Sequence, residues 1–426
     1  MLEKITSFIK HPTNINVLIN TVGNYLNVFF SLLFVLILTR IFNPAQYGVF
    51  NVLFGIAYVL ANVLDFGTTA TIYSYLPPLM VERGENMYRF IKSTFFYQSI
   101  FSMAIILILF ATFPYLDKVF FKTGAPAWEL YITAVSVLFF IWQNFVNNLL
   151  FAAKKFLKAN IYLNIANIIK TLILFLFMAS KHVSVGTVIF TFGVVGPIIY
   201  FSLLFLQKKD LFFILLKTEV KREEFRFGYT MTYFIASQFY NLGMRMDLFL
   251  LSYFGHKRDA GFYGLSQKII LTVITTVISI TQVLSPLFSS ANTRKQIMRH
   301  LKTGFVYMLL PAGLLLLLFI TPTWIFALLF TDAFSKTAII TKALSLAYIL
   351  NAFSSVLMLF LLYTIKKPIY ILATNVIFFF IITLGSLYII PVKGVFGLPT
   401  IITIAYAVAT VILTIATVYE FKKIPA

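Results

Sequence analysis

Strongly apolar runs of about 20 residues recur along this 426-residue chain, and their length decides what it can fold into. Such a run crosses the ~30 Å hydrocarbon core of a bilayer as an α-helix, whereas a membrane barrel is written in alternating strands of ~10 residues. Twelve spans are expected, at roughly 17–39, 48–75, 93–114, 128–151, 160–180, 186–207, 229–253, 262–289, 304–330, 338–363, 369–390 and 397–418. Only 11% of residues are charged, against about a quarter in a soluble domain. With a mean hydropathy of +0.92, the chain reads as an all-α integral membrane protein. The first run, Val17 to Leu38, is too long for a signal-peptide core and is studded with Asn, so it is expected to stay as a helix. With no cysteine, disulfides and thiol-bound metals are excluded.

The net charge of +20 would suit a nucleic-acid partner if it were clustered, but it lies in the short loops between apolar segments. Counted on alternate sides of the expected spans, 22 Lys and Arg fall on one side and 8 on the other. Positive loops stay inside, so both termini are expected in the cytoplasm, in the cell membrane, with no nucleic acid bound. The longest segment outside the spans is Lys208 to Gly228, which divides the chain into six-span halves, 1–207 and 229–426. Its core, Asp210-Leu-Phe-Phe-Ile-Leu-Leu-Lys217, reads either as a helix lying on the inner membrane surface or as a plain tether.

Those halves carry a repeat. Leu38-Thr-Arg-Ile-Phe-Asn-Pro-Ala-Gln-Tyr-Gly-Val-Phe50 joins spans 1 and 2, and a fainter copy, Leu251 to Leu265, joins spans 7 and 8. Asn43-Pro44 and Tyr47-Gly48 supply turn chemistry. Pro77-Pro78 is expected to stop span 2. Six spans separate the copies, so the repeat is parallel.

Several spans carry polar residues at helical period. Span 1 has Asn16, Asn20, Asn24, Asn27 and Ser31; span 2 has Asn51, Asn62, Asp65 and Thr69; span 5 has Asn160, Asn164, Asn167, Lys170 and Thr171. Span 7 has Gln238, Asn241 and Arg245, and span 8 has Lys268, Thr272, Thr275, Ser279 and Gln282. The stripes are expected to line a wet cavity, with helix–helix hydrogen bonding as the alternative. Arg245 lies 12 residues before the second hairpin's midpoint near Lys257, and Lys268 lies 11 after it, so the two are expected to be level. Asp247 projects about 200° from Arg245 and is left to pair with Lys268. Asp65 is expected level with Asn20 and Asn24, either as an ion-coupling carboxylate or as their hydrogen-bond acceptor.

No Gly-x-x-x-x-Gly-Lys-[Ser/Thr], no HExxH and no paired acid and base occur, so neither an enzyme nor a cofactor or metal site is expected. Transport is the remaining class.

Twelve spans, a six-plus-six parallel repeat and the phrase Thr39 to Phe50 together resemble the polysaccharide transporter family, with its O-antigen and repeat-unit flippases. Those belong to the multidrug/oligosaccharidyl-lipid/polysaccharide exporter superfamily. Leu64-Asp-Phe-Gly67 and Ser74-Tyr-Leu-Pro77 resemble how that family ends its second span. The resemblance implies two six-helix lobes forming a V around a central, often cationic cavity. It implies alternating access that carries a polyprenyl-pyrophosphate-linked glycan to the outer leaflet, with polysaccharide polymerase machinery as a further partner. On that reading Arg245, Lys268 and Lys170 meet the pyrophosphate, while Asn24, Asn27, Asn62, Gln238 and Asn241 meet the glycan. Asp65 and Asp247 are candidates for coupling to Na+ or H+. A cation-coupled multidrug exporter of the same superfamily is the alternative.

Overall fold

The computed structural model describes residues 12–424 except positions 43, 83, 122, 208, 255–256 and 331–334. Among the described residues all regular structure is helical, in two compact units, residues 1–227 and 228–426. The side chains of Arg40, Tyr47, Asn51, Lys257 and Arg258 lie outside the description, as does the turn residue Asn43. Among the described residues eight segments are long and apolar enough to cross a membrane, and a bent pair adds a ninth. One of the eight, Ile369–Lys422, covers two of the twelve expected spans.

In the first unit, α1 is Pro12–Ile41, α2 Pro44–Val63 and α3 Thr68–Glu82. Then come α4 Glu85–Leu116, α5 Ala127–Ala152, α6 Phe156–Ala179, α7 Val185–Phe190, α8 Gly196–Gln207 and α9 Lys209–Lys217. Pro44 opens α2, where its missing N–H costs nothing. Ser184 caps α7 in a reciprocal box with Thr187. An apolar cluster of Phe34, Leu38, Phe50, Leu53, Phe113, Leu130, Val188 and Phe192 joins five of these helices.

Span 2 departs from expectation in two ways. It is broken, not continuous: α2 and α3 meet at 47° across residues 64–67. Phe66 and Gly67 both take left-handed backbone there, at φ 50° and 76°, which ends α2. Nor does Pro77-Pro78 stop it, because α3 runs through both prolines to Glu82. Proline's fixed φ is itself helical, and the disruption is confined to the carbonyls one turn earlier.

The segment after span 6 is fastened along α4. Lys92 Nζ donates to Leu216 O at 2.8 Å, and Lys221 N–H donates to Ser93 Oγ at 2.8 Å. Phe225 is buried against the rings of Tyr97 and Phe101, and the Arg226 guanidinium lies 5.3 Å from the Tyr75 ring centre.

The second unit comprises α10 Phe227–Tyr253, α11 Lys257–Ser289, α12 Arg294–Ile320, α13 Thr323–Phe330, α14 Ser335–Leu359, α15 Ile369–Lys393 and α16 Leu398–Lys422. Helix α14 lies at its centre, packed on α11, α12 and α16. Close approach is bought with small residues, as lipid-embedded helices require. A Cβ on Gly304 would come within 2.7 Å of Val356, and one on Gly385 within 2.7 Å of Ile401.

Candidate functional site

The polar residues expected in spans 7 and 8 of the second unit lie on α10 and α11, around Asp247. Asp247 is 1% exposed and accepts from the Tyr263 hydroxyl, from Gln267 Nε2 at 3.1 Å and from Leu248 N–H at 2.7 Å. The Tyr263 and Gln267 bonds cross between the helices and tie α11 to Asp247 over one turn, with midpoints at residues 255 and 257. Arg245 lies two residues, ~3 Å of axial rise, from Asp247, and Lys268 lies one residue from Gln267.

The expected Asp247–Lys268 pair does not form. Gln267 and Tyr263 take the carboxylate, and Lys268 turns to the exposed side of α11. A one-residue step rotates a helical side chain by about 100°, which separates Gln267 from Lys268. Arg245 and Asn241 are exposed, while Gln238 is half-buried and donates to Ser237 Oγ at 3.4 Å. Among the described residues neither Arg245 nor Lys268 has a hydrogen-bonded or ion-paired side-chain partner.

The stripes of spans 1 and 5 meet each other. Asn160 Nδ2 donates to Asn20 Oδ1 at 3.1 Å, and Asn167 Nδ2 donates to Asn27 Oδ1 at 2.9 Å. Both numbers advance by seven, so α1 and α6 run parallel with amide pairs one heptad apart. Gly23 makes room, since a Cβ there would fall 2.1 Å from Asn160 Oδ1. Asn27 thus makes the helix-joining bond that stood as the alternative to cavity lining. Asn24, half-buried, lies between the two pairs.

Lys170 continues the α6 stripe past the second pair. Its ammonium lies 5.8 Å from the Phe34 ring centre and 5.4 Å from that of Phe192. Gly196 admits its stem: a Cβ there would fall 2.5 Å from Lys170 Cδ. Among the described residues no carboxylate pairs with it. Asn62 stands on the exposed side of α2 and donates back to Tyr58 O at 3.0 Å.

Asp65 sits in the break of span 2, bonded to neither Asn20 nor Asn24. It caps α3: Thr69 N–H reaches Oδ2 at 3.1 Å, and the hydroxyls of Thr68 and Thr69 reach Oδ1 at 2.8 and 3.1 Å. Gln98 of α4 approaches from the other side, and Thr69 Oγ1 accepts from Asn148 of α5 at 2.7 Å. The sequence reading passed over Thr94, Gln98 and Ser102, although steps of four mark them as the same kind of stripe. Among the described residues no three His, Asp or Glu side chains converge as metal ligands.

Solved structures with this fold are membrane transporters of the MOP superfamily. One, from Pyrococcus furiosus and described as having a binding pocket of reverse polarity, superposes with a TM-score of 0.74 at 12% identity, covering 97% of this chain and 96% of its own. An outward-facing multidrug resistance MATE transporter gives 0.75 at 12% identity, covering 97% of each chain. A MATE structure in complex with MaD3S gives 0.76 at 12% identity, again covering 97% of each. No curated protein matches the chain. A family model described as polysaccharide biosynthesis protein matches residues 15–292, and the chain belongs to that family.

Proposed function

We propose that this transporter is a flippase moving a polyprenyl-pyrophosphate-linked oligosaccharide from the cytoplasmic to the outer leaflet by alternating access. The observation that supports it is the placement of Arg245 and Lys268 beside the Asp247–Gln267 bond, two cations without an ion-pair partner among the described residues, on the expected spans 7 and 8 of a chain belonging to a polysaccharide biosynthesis family. An unpaired guanidinium at that depth is costly unless water or an anion compensates it. A diphosphate offers two adjacent anionic groups, one for the planar fork of Arg245 and one for the ammonium of Lys268. In the first unit, Lys170 is a cation held by the aromatic rings of Phe34 and Phe192, and by itself it offers an ammonium to an anionic group.

The likeness to MATE structures supports a second reading, cation-coupled drug export on the same fold. Proteoliposomes separate the two. A flippase exposes a fluorescent short-chain polyprenyl-diphosphate saccharide to an outside glycosidase, whereas a drug exporter leaves it protected and extrudes a cationic dye along an ion gradient.

A further inference from the structure

Helix α4 carries one face from the membrane to its surface. Phe96, Ile100, Met103 and Leu107 are exposed apolar side chains at steps of four, three and four, the mark of a face turned to lipid. The same steps carried toward the start of the helix reach Lys92, Arg89 and Glu85. At 1.5 Å per residue the apolar segment Glu85–Val119 is about 50 Å long. That exceeds the ~30 Å hydrocarbon core, so its charged first turns stand among lipid headgroups.

A cavity of about 440 Å³ lies there, between the start of α4 and the end of α9. Glu85, Tyr88 and Arg89 line it from α4, and Ile214, Lys217 and Glu219 from α9 and the residues after it. The charged lining is thus two acids and two bases. Arg89 Nη2 donates to Glu85 Oε2 at 2.7 Å, but the Glu85 side chain is 82% exposed. An exposed pair of this kind is worth little, so both partners can turn to a ligand. Lys217 and Glu219 are exposed and have no ion-pair partner among the described residues. Phe213 and Leu216 give α9 exposed apolar surface of its own.

A ligand for this place is an amphiphile, apolar along Phe96 to Leu107 and charged at the cavity. A purely anionic headgroup would meet the like charges of Glu85 and Glu219. A zwitterion matches both signs, its phosphate on Arg89 and Lys217 and its ammonium on Glu85 and Glu219. A primary ammonium has three N–H donors for those carboxylates, whereas a trimethylated one has none. We propose that the cavity between α4 and α9 binds the headgroup of a phosphatidylethanolamine lipid, with its acyl chains along the Phe96–Leu107 face. Bound there, the lipid bridges α4 and α9 beside the bond from Lys92 to Leu216 O. This site is separate from the substrate proposed above and requires no glycan.

The test is native mass spectrometry of the detergent-purified full chain, titrated with dioleoyl phosphatidylethanolamine, its N,N-dimethyl derivative, dioleoyl phosphatidylcholine and dioleoyl phosphatidylglycerol. The acyl chains are constant, so only the headgroup varies. Ethanolamine lipid is expected to bind saturably, and to weaken by roughly tenfold for each charge-assisted hydrogen bond that methylation removes. Glu85→Gln with Glu219→Gln should erase the preference for ethanolamine over choline. Lys217→Gln should weaken both lipids alike, and Lys209→Gln, outside the cavity, should change neither. The proposal is overturned if the ethanolamine and choline lipids bind wild type equally, if the glycerol lipid binds as tightly as the ethanolamine lipid, or if the preference survives the double change.

Discussion

Gln267 Nε2 donates to Asp247 Oδ2 at 3.1 Å across the second hairpin, and Arg245 and Lys268 lie two residues and one residue from the bonded pair without an ion pair to that carboxylate. Because Asp247 is fully engaged by Tyr263, Gln267 and a backbone N–H, it leaves both cations available to an anion.

The two cations are therefore expected to matter comparably. Arg245→Ala and Lys268→Ala should each abolish or strongly reduce surface polysaccharide in a strain lacking its own flippase, at unchanged membrane protein level. Arg245→Lys should retain part of the activity, since charge survives but the bidentate fork does not. Wild-type surface glycan from Arg245→Ala would remove that residue from the mechanism.

Asp247 itself is expected to act through architecture. Tyr263→Phe removes one donor and should cost about 1–3 kcal/mol, read as a lower unfolding midpoint with transport retained at permissive temperature. Loss of transport with an unchanged midpoint would instead place the Tyr263–Asp247 contact in the transport cycle.

The amide pairs between α1 and α6 make a separable prediction. Asn27→Leu strands the Asn167 amide, whereas Asn27→Leu with Asn167→Leu removes both partners. A double-mutant cycle should show coupling of about 0.6 kcal/mol, the scale of hydrogen bonds between membrane helices. Gly23→Leu should be far more damaging than either, because its side chain would overlap Asn160. Additive effects of the two asparagine changes would show that the contact carries no energy.

Orientation is checked by single cysteines in a chain that has none. Ala127→Cys, at an exposed position between spans 3 and 4, should react with an impermeant thiol reagent added outside intact cells. Glu219→Cys, exposed in the segment after span 6, should react only after lysis. The opposite pattern would invert the topology drawn from loop charge.

That the two arms of the second hairpin meet around Asp247 was legible in the sequence, because residue count on either side of Lys257 sets Asp247 opposite Gln267, and those two are bonded. What each polar stripe faces was not legible. Helical period shows that Asn20 and Asn27 share a face, but not that Asn160 and Asn167 meet it from 140 residues away. The break at Asp65 was hidden for another reason. Leu64-Asp-Phe-Gly67 reads as a span ending, and only the positive φ of Phe66 and Gly67 makes it a corner from which α3 continues. Thr94, Gln98 and Ser102 were obscured by Phe95, Phe96, Tyr97, Ile100 and Phe101, whose bulk dominates any apolar reading of that span.

The heptad-spaced amide pairs also bear on how the chain is made. Asn20 and Asn27 leave the ribosome 140 residues before the asparagines that bond them. At the usual pace of synthesis, about 5–20 residues per second, span 1 waits on the order of ten seconds for span 5. During that interval its amides have no place in lipid and must be served by water, headgroups or the insertion machinery. The contacts that fasten α1 to α6 in the finished protein thus impose an order on its biogenesis, with span 1 settling only once span 5 has arrived, although it is synthesised first.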